Sequence, residues 1–263
     1  MSENITRSIS GLIYIVVLIG ATLFSEWSYQ LLILVFLAIG VYEFSKLVNI
    51  KLIHAFQIVI LTIGVIFITQ YIIPFYFYNF IGVLALTTLF IQLFKKDNTQ
   101  LEAYSKYGYL IGYITIPFIA LLKLPYIENI YEPRIIIGIF ILIWTNDTFA
   151  YLTGKSIGKN KLFERISPKK TIEGFLGGLL FSIIAGLTLS YFFSFYSSII
   201  WISSAIFAST FGTIGDLVES KFKRQANVKD SGKIMPGHGG ILDRLDSIIF
   251  VVPFLYLIFK TFQ

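Results

Sequence analysis

The chain has 263 residues, of which 56% are apolar or aromatic and 14% charged, with a net charge of +6 and a mean hydropathy of +0.78. An ordinary soluble domain carries about 25% charged residues, so this chain cannot clothe a water-facing surface; soluble, disordered, coiled-coil and collagen-like classes are excluded. Cysteine is absent and histidine occurs only as His54 and His238, which removes disulfide scaffolds, thiolate nucleophiles and any multi-histidine metal site within one chain.

A bilayer core needs roughly 20 apolar residues per helix, and runs of that kind recur along the whole chain. They predict spans at about 11–24 (short, with an extension to Thr6 as the alternative), 29–48, 56–73, 75–94, 107–124, 134–152, 174–193, 198–215 and 247–262. The expected fold is all-α: a polytopic membrane protein of about nine transmembrane helices. The first run has Arg7 against Glu3 in its flank and no small-residue cleavage site after it, so it is expected to stay as an anchor rather than serve as a signal peptide. Pro74 with Phe75, Tyr76, Phe77 and Tyr78 reads as a tight turn in an aromatic belt, and so does the stretch from Phe192 to Trp201.

Basic residues set the orientation. With nine spans, alternate loops place 18 of the 21 Lys and Arg residues on one side, leaving only Lys123, Arg134 and Lys260 on the other. The positive-inside rule then puts the N-terminus in the cytoplasm and the C-terminus outside. Two loops on the basic side, 153–173 and 216–246, are longer and richer in charge than the rest. Residues 1–133 therefore read as scaffold and residues 134–263 as the catalytic region.

In the second loop Asp216 and Ser220 are spaced i, i+4, and Asp243 and Asp246 i, i+3, so each pair shares a helix face. Oxygen ligands of this kind suit a hard cation such as Mg²⁺, held through a few carboxylates and substrate phosphates; one cation or two fits the residues. Between the pairs lie Gly232, Gly237, Gly239 and Gly240, which permit close backbone approach to a ligand. The start of the last helix near Asp243 is expected to offer free N–H groups to an anion. Lys223, Arg224, Lys229, Lys233 and Arg244 supply positive charge. Together these describe a metal–polyphosphate site; the plainer alternative is a solvated loop with a helix cap.

Asp147, beside Asn146, lies within the sixth span, where an ionisable residue is a functional candidate. Glu43, one turn from the end of the second span, reads either as functional or as a partner of Lys46. Gly154-Lys155-Ser156 is not a phosphate-binding P-loop, because Phe149 stands where the first glycine is required and no strand precedes it. Ser167-Pro168-Lys169-Lys170-Thr171 reads as a basic phosphate or headgroup contact ahead of a helix, and Gly174 with Gly178 as a small-xxx-small packing pair. His238 fits hydrogen bonding or ligand orientation as well as proton transfer. His54 reads as an ordinary interfacial residue.

The residues from Ser220-x-Phe222-Lys223-Arg224 through Lys229-Asp230-x-Gly232, Met235-Pro236-x-His238-Gly239-Gly240-Ile241 and Asp243-Arg244-Leu245-Asp246 resemble the signature of the phosphatidate cytidylyltransferase (CDP-diacylglycerol synthase) family. Met235 is the one departure, where that pattern has Leu, Ile or Phe. Asn146-Asp147 and Ser167 to Gly174 are also similar to the family, while the N-terminal half resembles it only in hydropathy. The resemblance implies a membrane enzyme, often a homodimer, that converts CTP and phosphatidic acid to CDP-diacylglycerol and pyrophosphate with a divalent cation. It implies a metal site around Asp216, Ser220, Asp243 and Asp246.

On that reading a phosphatidate oxygen attacks the α-phosphorus of CTP in line. The attacking phosphate is already largely ionised near pH 7, its second pKa lying near 6 by analogy with phosphoserine, so no general base is required. The catalytic candidates are Asp216, Asp243, Asp246, Lys229 and Arg244. Lys223, Arg224, Lys229, Asp230, Lys233, Gly239, Gly240 and Arg244 are expected on the CTP side. Asn146, Asp147, Lys169, Lys170 and Thr171 are expected around the lipid phosphate, with His238 orienting. The expected location is the plasma membrane, with the site on its cytoplasmic side and no role for nucleic acid. A CTP-dependent lipid or polyprenol kinase and an ion-coupled transporter are the alternatives.

Overall fold

The computed structural model describes residues 3–95 and 101–262; Lys96, one of the basic residues counted above, lies outside them. The chain forms α1 (Glu3–Phe24), α2 (Glu26–Leu47), α3 (Leu52–Thr69), α4 (Phe75–Phe94), α5 (Ala103–Tyr109), a π turn (Leu110–Thr115), α6 (Ile116–Lys123), the strands β1 (Tyr126–Ile127) and β2 (Ile130–Tyr131), α7 (Pro133–Ile157), the strands β3 (Lys161–Phe163) and β4 (Ser167–Thr171), α8 (Ile172–Phe192), α9 (Ser198–Gln225) and α10 (Leu242–Thr261). β1 and β2 pair antiparallel, and so do β3 and β4, with Lys161 opposite Thr171 and Phe163 opposite Ser167.

Local chemistry explains the boundaries. Ser25 and Ser28 form a reciprocal capping box at the start of α2. Pro133 opens α7, where a missing N–H costs nothing, and Glu132 accepts from Arg134 N–H at 3.1 Å. Thr171 caps α8 by accepting from Gly174 N–H at 3.1 Å. The α5–α6 span carries the π turn just before Pro117, which has no N–H to give to the preceding turn; Thr115 Oγ1 donates to the carbonyl of Leu110 at 2.8 Å. α9 ends in a left-handed residue, Asn227 (φ 55°), with Val228 N–H returning to the carbonyl of Lys223 at 2.9 Å.

Eight spans are long and apolar enough to cross a membrane among the described residues, α5, the π turn and α6 counting as one. Their outward faces expose large apolar side chains such as Leu12, Ile60, Ile68 and Leu180, an arrangement that suits lipid and not water. The expected ninth span is α10, and it is made differently. Asp243, Arg244 and Asp246 crowd its first two turns, and Val251, Val252 and Leu255 are completely buried. It is the inner helix, packed against α9, α6, α4 and α2.

Three expected boundaries are corrected. α1 begins at Glu3, so the short 11–24 span gives way to the extended alternative and passes Thr6. α9 continues to Gln225 instead of stopping near 215, so Asp216, Ser220, Lys223 and Arg224 stand on a helix and not in a loop. The 153–173 loop consists of the last turn of α7 and the β3–β4 hairpin, short strands that an all-α reading passes over.

Candidate active site

α7 and α8 approach closely at Gly174 and Gly178, as the small-xxx-small spacing predicts: a Cβ on Gly178 would come within 2.7 Å of both the carbonyl and side-chain oxygens of Asn146. Where these helices meet the hairpin, α9 and α10, a cavity of about 540 Å³ opens. It takes residues from both charged segments. Asn146, Asp147, Lys169, Lys170, Thr171, Asp216, Lys223, Asp230, Asp243, Arg244 and Asp246 all line it, joined by Tyr151, Lys155, Leu162, Phe175, Thr213 and Ser247, which the motifs do not single out.

The two segments touch directly. Lys170 Nζ on β4 lies 2.5 Å from Asp216 Oδ2 on α9. The expected separation of a CTP loop from a lipid-phosphate loop is therefore not a separation in space, because both open on one cavity.

Two of its acidic residues, Asp216 and Asp246, converge with Glu219, which is buried and does not itself line the cavity. One carboxylate oxygen from each of Asp216, Glu219 and Asp246 lies within 4.8 Å of the others. Ser220 Oγ donates to Asp216 Oδ1 at 3.2 Å, and Ser247 N–H donates to Asp246 Oδ1 at 2.7 Å. Glu219 is fully buried; Lys223 Nζ lies 2.6 Å from its Oε2, while Oε1 has no hydrogen-bond partner among the described residues. Like charges this close, with a bare buried oxygen among them, present a donor set that a cation would complete.

Asp243 is differently engaged. Its Oδ1 takes Lys223 Nζ at 2.7 Å. Its Oδ2 accepts from Ser231 N–H (2.8 Å), Ser231 Oγ (2.9 Å) and Gly240 N–H (2.8 Å). Glu43, fully buried on α2, accepts from Leu242 N–H at 2.8 Å and Ile241 N–H at 3.2 Å. Lys46, its other expected partner, turns instead to the Tyr42 hydroxyl. The expectation that the start of α10 offers free N–H groups to an anion is thus corrected at Ile241 and Leu242, whose N–H groups Glu43 takes, while Asp243 takes that of Gly240 just before them.

The remaining candidates lie off the cavity wall. Arg224, Lys229 and Lys233 are exposed, and Gly239 and Gly240 shape the loop behind Asp243. His238 packs under α1, with Nδ1 2.7 Å from Ser10 Oγ, while Arg244 donates to its backbone carbonyl at 3.1 Å. Burial, with help from the cations Arg244 and Arg7, lowers the His238 pKa, so the ring is neutral at pH 7. His54 is exposed at the start of α3.

Glu219 is the residue that sequence reasoning missed. The signal was present: Asp216, Glu219 and Lys223 follow i, i+3, i+7 along one helical face, the same helical geometry that pairs Asp216 with Ser220, but nothing in the spacing shows that this face meets Asp246 of α10.

Residues 5–262 match the profile of the Cytidylyltransferase family. A phosphatidate cytidylyltransferase of Staphylococcus aureus (strain COL) is 54% identical over 120 residues, covering 45% of this chain and 46% of that protein. One from Staphylococcus epidermidis (strain RP62A) is 51% identical over 126 residues, covering 48% of each. One from Staphylococcus haemolyticus (strain JCSC1435) is 52% identical over 120 residues, with 45% and 46% covered. The chain thus spans about half the length of the curated relatives it matches.

Proposed function

Because the chain belongs to the Cytidylyltransferase family, we propose that it is a phosphatidate cytidylyltransferase, joining CTP and phosphatidic acid to give CDP-diacylglycerol and pyrophosphate. The observation that carries this reading is one cavity of about 540 Å³ lined by Asp216, Asp246, Lys170, Lys223 and Arg244, with Glu219 buried behind the two aspartates, a size within the range of small-molecule sites.

In the proposed reaction a phosphatidate oxygen forms a bond to the α-phosphorus of CTP, and the bond from that phosphorus to the bridging oxygen of pyrophosphate breaks. Lys170 and Arg244 neutralise the phosphates as they approach, and Lys223 holds the carboxylates of α9 and α10 in register. No side chain has to remove a proton, since the attacking phosphate is already ionised. Asp216, Glu219 and Asp246 would hold Mg²⁺, for which the bare Oε1 of Glu219 and the all-oxygen donor set are suited. Such an ion supplies charge neutralisation to the phosphates. In this reading Asp243 organises the loop rather than ligating, Asn146, Asp147, Lys169 and Thr171 shape the lipid-phosphate end, and the exposed Arg224, Lys229 and Lys233 draw CTP in by long-range attraction.

The same reading places the N-terminus and the cavity on the cytoplasmic side of the plasma membrane, the C-terminus outside, and the protein as a homodimer. The biased distribution of Lys and Arg supports that orientation. The test is pyrophosphate release by purified protein in detergent with Mg²⁺. Release should require both CTP and phosphatidate and yield a lipid-soluble cytidine nucleotide. Release of CDP instead would move the assignment to a CTP-dependent lipid kinase.

A further inference from the structure

Glu43 sits on α2, far in sequence from the cavity, and lines none of it. It is completely buried, and no lysine or arginine pairs with it among the described residues. A carboxylate buried on neutral donors costs more than an apolar side chain at the same place. Its oxygens meet the Leu242 and Ile241 N–H groups, at the positive end of α10, and the Ser231 hydroxyl at 3.2 Å. The glycine-rich loop is wrapped around it: a Cβ at Gly232 or Gly240 would collide with the Glu43 carboxylate.

The contacts do not end at Ser231. Its hydroxyl lies 2.9 Å from Asp243 Oδ2, Asp243 Oδ1 lies 2.7 Å from Lys223 Nζ, and Lys223 lies 2.6 Å from Glu219. A second route is shorter. Leu242 and Asp246 are one turn apart on the same face of α10, so slack at the Leu242 N–H displaces Asp246 directly.

We propose that Glu43 is a positioning residue for the acidic cluster: from α2 it fixes the start of α10 and, through Ser231, Asp243 and Lys223, sets Asp246 and Glu219 at the spacing a divalent cation requires. This rests on the cation-dependent reading above. A glutamate that only stabilised the fold would alter how much protein is folded, but not how the folded protein responds to the ion.

The experiment uses the full chain in detergent and Mg²⁺ alone as the probe. The thermal midpoint is followed against Mg²⁺ concentration for wild type, Glu43→Gln and Ser231→Ala, and pyrophosphate release is then titrated with Mg²⁺. Groups that orient ligands typically change metal affinity 10–100-fold when altered. Glu43→Gln should raise the Mg²⁺ concentration for half-maximal thermal protection about tenfold, and Ser231→Ala should shift it less in the same direction. The activation curves should move in parallel. Ser231→Ala leaves both backbone caps in place, so it serves if Glu43→Gln does not fold. Wild-type Mg²⁺ midpoints in every variant that folds overturn the proposal, whatever the metal-free stability, and so does a wild type that Mg²⁺ fails to protect. If Mg²⁺ protects the wild type but no pyrophosphate appears, the transfer reading falls alone, and positioning is still decided by thermal protection.

Discussion

Glu43 and Glu219 are both completely buried glutamates on membrane helices, and the protein treats them in opposite ways. Around Glu43, a backbone N–H group meets each carboxylate oxygen, and the single Ser231 hydroxyl proton is shared between Glu43 and Asp243. Around Glu219, Lys223 meets one oxygen, the other has no hydrogen-bond partner among the described residues, and Asp216 and Asp246 stand close by. A buried carboxylate is tolerated when its lone pairs are filled, and becomes a liability when they are not. The first region is complete as the chain folds. The second is left short of positive charge, next to the cavity that Asp216 and Asp246 line. The contrast separates a carboxylate whose needs the fold meets from carboxylates that, in the proposed function, wait for a cation.

Lys223 belongs to both regions, since it bridges Glu219 and Asp243, so its removal should have the largest effect. Lys223→Met leaves two buried carboxylates without their cation, and breaking a buried pair in this way costs about 3–5 kcal/mol. Thermal or denaturant unfolding in detergent should show that loss. A midpoint close to wild type would mean that the two regions are not joined through this residue.

Asp246→Asn acts on the unfinished region only. It should lower turnover about 100-fold or more, roughly 3 kcal/mol of transition-state stabilisation. It should also leave metal-free stability unchanged or raised, because it relieves like-charge repulsion. Steady-state rates and a thermal scan without Mg²⁺ check both halves. A large loss of metal-free stability would place Asp246 with the finished carboxylates.

Lys170→Ala should cost less, about tenfold in the phosphatidate response at fixed CTP, or about 1.4 kcal/mol. Since Lys170 contacts Asp216, a substantial change in Mg²⁺ response as well would assign it to the cluster rather than to the lipid phosphate.

The smallest effect is expected at His238, on the loop that Glu43 anchors. Its lowered pKa means that the unfolded state binds the proton more readily. The stability it contributes is present above the ordinary histidine pKa of about 6.5 and is lost as pH falls through the lower folded value. His238→Gln should therefore flatten the decline of thermal stability on the acid side of pH 6.5. An unchanged acid limb would mean that other groups carry it.

Much of the molecule could be read before its fold was known. Apolar runs locate the helices because each must bury or greet lipid along its own length, a local property. Asp243 and Asp246 could be placed on one helical face, and Gly174 with Gly178 in a helix contact, for the same reason. α10 was harder, since a helix wrapped by its neighbours can carry charges at its start that a lipid-facing helix could not. Lys169 and Lys170 were recognisable as phosphate-contact candidates, but not the place of Lys170 beside Asp216, because β4 and α9 are brought together by the packing of α7 and α8.

Composition, helical periodicity and the 220–246 motif thus determined by themselves that the protein is a helical membrane protein with a charged, glycine-rich site near its C-terminal end. Tertiary structure alone decided which acidic groups are spent. Asp243 looks like a metal ligand in sequence, yet it is filled by Ser231, Gly240 and Lys223, while Glu219, unremarked in the motif, keeps a bare oxygen. Glu43 reaches Leu242 across 199 residues of the chain. Whether a carboxylate is satisfied depends on donors that arrive from distant elements, and spacing along a single helix carries no record of them.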